Sequence, residues 1–130
     1  MPALIPLTTT PRDQFQWIGY VAGTLTTGTD KCAYMRVHDK CIIDEVRIHV
    51  GTAPTGASLI VDVNDDGVTV FTTQGNRPTI AISGSDAVSG AADGGTAVAK
   101  DSVITIDIDQ VGSTIAGADL AIFVRGRLIV

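Results

Sequence analysis

An antiparallel β-sandwich of jelly-roll type is the fold class this sequence predicts, and three observations predict it. Val (14), Ile (14) and Thr (16) make up about a third of the 130 residues, against six Leu. Side chains branched at Cβ lose rotamer freedom in a helix but pack well on a pleated surface. Short stretches alternate apolar and polar residues with period two, and none carries the amphipathic period of a helix. Fourteen Gly and five Pro then supply turns between roughly eight strands. A closed barrel is the alternative all-β arrangement.

Residues 1–14 hold Pro2, Pro6, Pro11 and the Thr8–Thr10 triplet with little periodicity, so they read as an extended N-terminal arm preceding a single domain over 15–130. Strand candidates follow at Gln16–Ala22 and Cys32–Val37. Ile42–Val50 is a firmer strand: Ile42, Val46, Ile48 and Val50 form one face, and Ile43, Glu45, Arg47 and His49 the other. Asp44 interrupts the apolar row, which places the buried part of that strand after it. Ala57–Val63 and Val68–Thr73 flank Asn64-Asp65-Asp66-Gly67 and form a β-hairpin, and Pro78–Ile82 is a short strand. Residues 83–101 are rich in Ser, Gly, Ala and Asp, with Gly94-Gly95 inside, and read as a long flexible loop. Ser102–Asp109 alternates cleanly, with Ile104, Ile106 and Ile108 inward. Ala118–Arg125 closes the pattern with Leu120, Ile122 and Val124 inward, ahead of an apolar tail, Leu128-Ile129-Val130.

Size and charge narrow the function. A chain of this length supports one hydrophobic core. Its net charge of −5 argues against coating nucleic acid, which needs basic residues against phosphate. The longest apolar run, Leu120–Val124, is too short to span a bilayer as a helix. The first residues lack the basic and apolar regions of a secretory signal. Two cysteines are too few for a disulfide scaffold, so a reducing cytoplasm is the expected site of synthesis.

Several constellations invite chemistry and are weighed against plainer readings. Asp62-Val63-Asn64-Asp65-Asp66-Gly67 matches the first half of a calcium loop. The twelfth position, however, is Thr73 instead of a bidentate Glu, and a hairpin wants the same Asp/Asn/Gly turn. Cys32, His38, Cys41 and His49 lack the close cysteine pair of a structural zinc site. A Cys32–Cys41 bridge across a hairpin is conceivable, but the compartment argues against it. Asp107 and Asp109 share a strand face, which is also what a solvated strand shows. No nucleophile-and-base motif, P-loop or dinucleotide fingerprint is present, so no metal, no cofactor and no enzymatic activity are expected. Phe15, Trp17 and Tyr20 hold half of the six aromatics just after the arm. They read as core plugs or as anchors of a subunit contact.

Two stretches carry a family resemblance. Val46–Gly84 holds G-x-A-P-T-G-x-S leading into a D-V-N hairpin and then R-P-T-I. Ala99–Leu128 holds I-D-I-D-Q-V-G-S-T-x-A-G-A-D-L. Together they resemble a β-sandwich module of tailed-bacteriophage structural proteins, found in head decoration (cement) proteins, head fibres and tail-fibre parts. The resemblance implies a virion protein on the outer surface of a capsid, made in the host cytoplasm, that stabilises contacts between major capsid subunits. It also implies a homotrimer at threefold positions, with the major capsid protein as partner and neither nucleic acid nor membrane. Leu4, Ile5, Phe15, Trp17, Tyr20, Leu128 and Ile129 are the contact residues expected on this reading. The alternative is a fibre or spike component whose Ser83–Lys100 loop or sheet face binds host glycans, although that loop lacks the aromatics that sugar sites favour.

Overall fold

The computed structural model describes residues 14–92 and 97–129, and among these there is no α-helix. Nine strands run in the order β1 (Gln14–Thr24), β2 (Met35–Arg36), β3 (Cys41–Thr52), β4 (Leu59–Asp65), β5 (Val68–Thr69), β6 (Thr79–Ile80), β7 (Asp86–Val88), β8 (Val103–Gln110) and β9 (Ala118–Leu128). One antiparallel sheet has the order β1-β9-β3-β7. The other has β2-β8-β4-β5, with β6 also paired to β4.

The pairings nest. β4 pairs with β5 and β6, β3 with β7, β2 with β8, and β1 with β9. Rolling this nested ladder brings β9 against β3 and β8 against β4. The result is a jelly roll, with β5 and β6 acting as one interrupted strand.

Alternation builds the core between the sheets. Val46, Ile48, Val50, Leu120, Ile122 and Val124 come from one sheet, and Leu59, Val61, Val63, Ile104, Ile106 and Ile108 from the other, each 2% exposed or less. Leu25, Val37, Phe71 and Ile80 are equally buried. Each such side chain contributes about 1.5–3 kcal/mol of transfer free energy, so these two rows dominate the stability of the fold.

The β4–β5 hairpin turns on two residues, Asp66 and Gly67, with φ of 48° and 86°. Positive φ at both central positions is the type I′ geometry that matches strand twist, and Gly takes it without strain.

Four sequence expectations are corrected. A bulge between Ile43 and Glu45 shifts the phase of β3, so Cys41 and Ile43 are buried before Asp44 and Ile42 faces outward. An extra residue in one strand reverses every side chain beyond it. Within Cys32–Val37 only Met35–Arg36 is regular strand, although Gly28, Lys31 and Val37 still bond along the edge of β8. The supposed loop after Ser83 contains β7, and Val98 bridges to Cys41; Gly94-Gly95 lies outside the described residues. Of the supposed tail, Leu128 is strand, since β9 continues through Gly126 and Arg127 to reach it; Ile129 lies beyond the strand and Val130 outside the described residues.

A candidate contact surface at the edge of one sheet

β1 is the outermost strand of its sheet and alternates half-buried with exposed side chains along QFQWIGYV. Its inner row, Phe15, Trp17 and Val21, packs against the core. Phe15 lies over Gly126, its register partner, where any β-carbon would strike the Phe15 ring and the Ile42 carbonyl. The Phe15 and Trp17 rings sit 4.5 Å apart, tilted by 37°. With Leu128 and Cys41 they line an apolar groove rimmed by Arg36, His38 and Asp39.

The outer row is Gln14, Gln16, Ile18 and Tyr20. Ile18 is 65% exposed and Tyr20 57%. Ile18 stands beside Phe123 of β9, and Tyr20 beside Ala121, which makes a small apolar strip on the outer face. The Tyr20 hydroxyl hydrogen-bonds the Asp119 carboxylate; desolvation first, then that negative charge, raise its pKa. Farther along the same face, Arg127 donates to both carboxylate oxygens of Asp44 at 3.1 Å, and Arg125 and Arg47 donate to Glu45 at 3.1 and 3.2 Å. His49 Nδ1 meets Asp86 at 2.6 Å, an interaction that holds the Asp86 carboxyl below its usual value. These pairs are exposed to water and screened by salt, so they contribute little to stability.

The expected contact residues therefore divide. Phe15, Trp17 and Leu128 are brought together in the groove. Tyr20 lies on the outer face of the same strand, and Ile129, 40% exposed, donates its N–H to Lys40 O beyond the end of β9. Leu4 and Ile5 lie outside the described residues. Ile18 and Phe123 were missed, although β1 carries apolar residues at both parities, the pattern of a strand covered on both faces.

The remaining candidates are dispersed. Both cysteines are free thiols. Cys32 Sγ lies over Gly19; buried Cys41 has its pKa pushed up to about 11, by burial and then by the charge of Asp65. His38 is on the groove rim and His49 on the far side of β3. Asp62 of the calcium-like run accepts bonds from Val63 N–H and the Thr69 hydroxyl. Asn64 donates to Asp107, and Arg77 to Asp109. No three His, Cys, Asp or Glu side chains converge on a common point among the described residues.

No protein-family model matches the chain, and comparison with curated proteins returns no match. Among solved structures, the chain is similar to one in the "Cyanophage Pam1 capsid asymmetric unit", at 18% identity and a TM-score of 0.52. The likeness covers 92% of this chain and 89% of that one, and at this identity it establishes a shared fold.

Proposed function

We propose that this protein is a non-enzymatic structural component of a tailed-bacteriophage virion, a decoration or cement protein on the outer capsid surface that bridges major capsid subunits. The observation that carries the reading is the near end-to-end likeness to a chain from a phage capsid asymmetric unit. It coincides with the phage-like motifs at Val46–Gly84 and Ala99–Leu128. Fold alone does not assign a role. What favours decoration is a sandwich whose first strand presents an apolar groove and an apolar outer strip; on this reading the Pro- and Thr-rich residues 1–13 that precede it contact a second subunit. Many modest contacts, multiplied by copy number, would supply the binding energy.

The test is decoration of undecorated capsids by the intact chain and by a chain lacking residues 1–13. Gln14 is kept because it pairs with Arg127 in β1·β9. The intact chain is expected to coat the shell, and the truncated one to bind at least about tenfold more weakly, as loss of a second tethered contact implies. Full occupancy by the truncated chain removes the arm from the mechanism. Binding to host cells or a glycan array without capsid binding overturns the reading in favour of a fibre or spike component.

A further inference from the structure

We propose that β1 is a self-association strand, whose free edge pairs antiparallel with β1 of a second copy about a two-fold axis and joins two four-stranded sheets into one of eight strands. The inference does not rest on the capsid reading.

The direction of the backbone groups can be read from the neighbouring strands. Val46 N–H donates to Ser89 Oγ, Val46 O accepts from Ser89 N–H, and Val50 N–H donates to Ser85 O, so these residues turn away from β9. Their neighbours Arg47 and His49 therefore bond to Phe123 and Ala121 of β9. Peptide groups alternate sides along a strand. Leu120, Ile122 and Val124 accordingly face β1, where they engage Val21, Gly19 and Trp17. Gln14, Gln16, Ile18 and Tyr20 are left with N–H and C=O pointing out of the sheet, without a backbone partner among the described residues.

Such an edge is an aggregation hazard unless it is short, charged or interrupted. The other described edges use these devices. β7 has three residues, one of them Asp86; β2 has two, one of them Arg36; β5 and β6 have two each. β1 is irregular only near its end, where the register shifts between Val21 and Thr24; the eight residues Gln14–Val21 pair without interruption and carry no charge and no Pro.

The occupant follows from charge and symmetry. A chain of net charge −5 repels its own copies, and near a two-fold axis any charge on a strand faces its own image. β1 presents no charge to its image. Pairing centred on Ile18, which has outward N–H and C=O, sets Ile18 against Ile18 of the second copy and Gln16 against Tyr20. On the inner side it sets Trp17 against Gly19, large against small. Such an isologous contact makes a closed pair, and it cannot close a ring of three because each copy has one long free edge among the described residues.

Two measurements on the full chain decide the matter. Light scattering after size exclusion should give twice the 13.5 kDa chain mass, and Ile18→Lys, which places two ammonium groups across the axis, should give the single-chain mass. Amide exchange on the unmodified chain should show Gln16, Ile18 and Tyr20 protected at least about tenfold more strongly at high concentration than at dilution, while Trp17 and Gly19 stay protected throughout. This second measurement needs no variant, so a misfolded Ile18→Lys chain leaves the proposal testable. A single-chain mass with fast exchange at Ile18, a trimer, or a dimer that survives Ile18→Lys unchanged overturns it.

Discussion

Asp62 and Asp107 stand directly opposite each other on β4 and β8, and Asp62 is 6% exposed. Like charges across an antiparallel pair are destabilising, yet here each carboxylate has its own donors. Thr69 and Val63 N–H serve Asp62, and Asn64 serves Asp107. Burial outweighs these bonds and raises the Asp62 pKa, with the charge of Asp109 adding to it. A carboxyl whose folded pKa lies above its unfolded value binds more protons when folded. Its contribution therefore favours folding at low pH and is lost as pH rises from the ordinary aspartate value through the raised one. Asp62→Asn keeps the acceptor oxygen and removes the charge. It is expected to stabilise the fold at pH 7 by on the order of 1 kcal/mol, and the gain should shrink towards zero as acid protonates Asp62 in the parent. Paired urea titrations at pH 7 and pH 3 check this, and a gain that is independent of pH rules the explanation out. The outward parity of Asp62 was legible in D-V-N-D-D-G. That it faces Asp107 was not, because register between β4 and β8 is fixed by core packing and not by local sequence.

At the scale of the element, the sequence showed where strands lie better than how they are phased. The alternation in Ile104–Ile108 and Leu120–Val124 translates directly into buried rows, since both strands run without a bulge there. β3 misled because Ile42, Ile43 and Asp44 fit either phase, and only the bulge decides which isoleucine is buried. β7 was invisible because Asp86-Ala87-Val88 has little strand propensity, and it pairs only because Arg47–His49 offers a bare edge. The groove depends on another such detail. Gly126 in β9 reads as a break in a strand, yet it makes the space that Phe15 fills. Gly126→Ala is expected to cost about 1–3 kcal/mol by overpacking and to displace Phe15 from Trp17, which changes the near-ultraviolet circular dichroism of the tryptophan. Gly75→Ala, where an added β-carbon meets nothing within 4 Å, is the control and should leave both stability and spectrum unchanged.

Across the whole molecule, the nested pairing imposes an order on folding. Alternation told which residues point inward, but not that β9 lies between β1 and β3, because strand order depends on contacts far apart in the chain. Gln14 pairs with Arg127, so the outermost rung closes only after nearly the whole chain is organised. The innermost rung, β4 with β5, closes across two residues at almost no loop entropy. Folding dominated by such distant pairings takes milliseconds to seconds, with the local hairpin the cheapest place to begin. Val63 of β4 and Val124 of β9 are both fully buried, so truncating either to Ala should cost a comparable amount, on the order of 2 kcal/mol. The kinetic signatures should differ. Val63→Ala is expected to act mainly by slowing folding, and Val124→Ala mainly by speeding unfolding, because a residue outside the nucleus gains its contacts after the barrier. Stopped-flow chevrons of the two variants separate these cases. The opposite assignment would mean that the β1·β9 rung, closed by the two ends of the chain, forms before the hairpin it encloses.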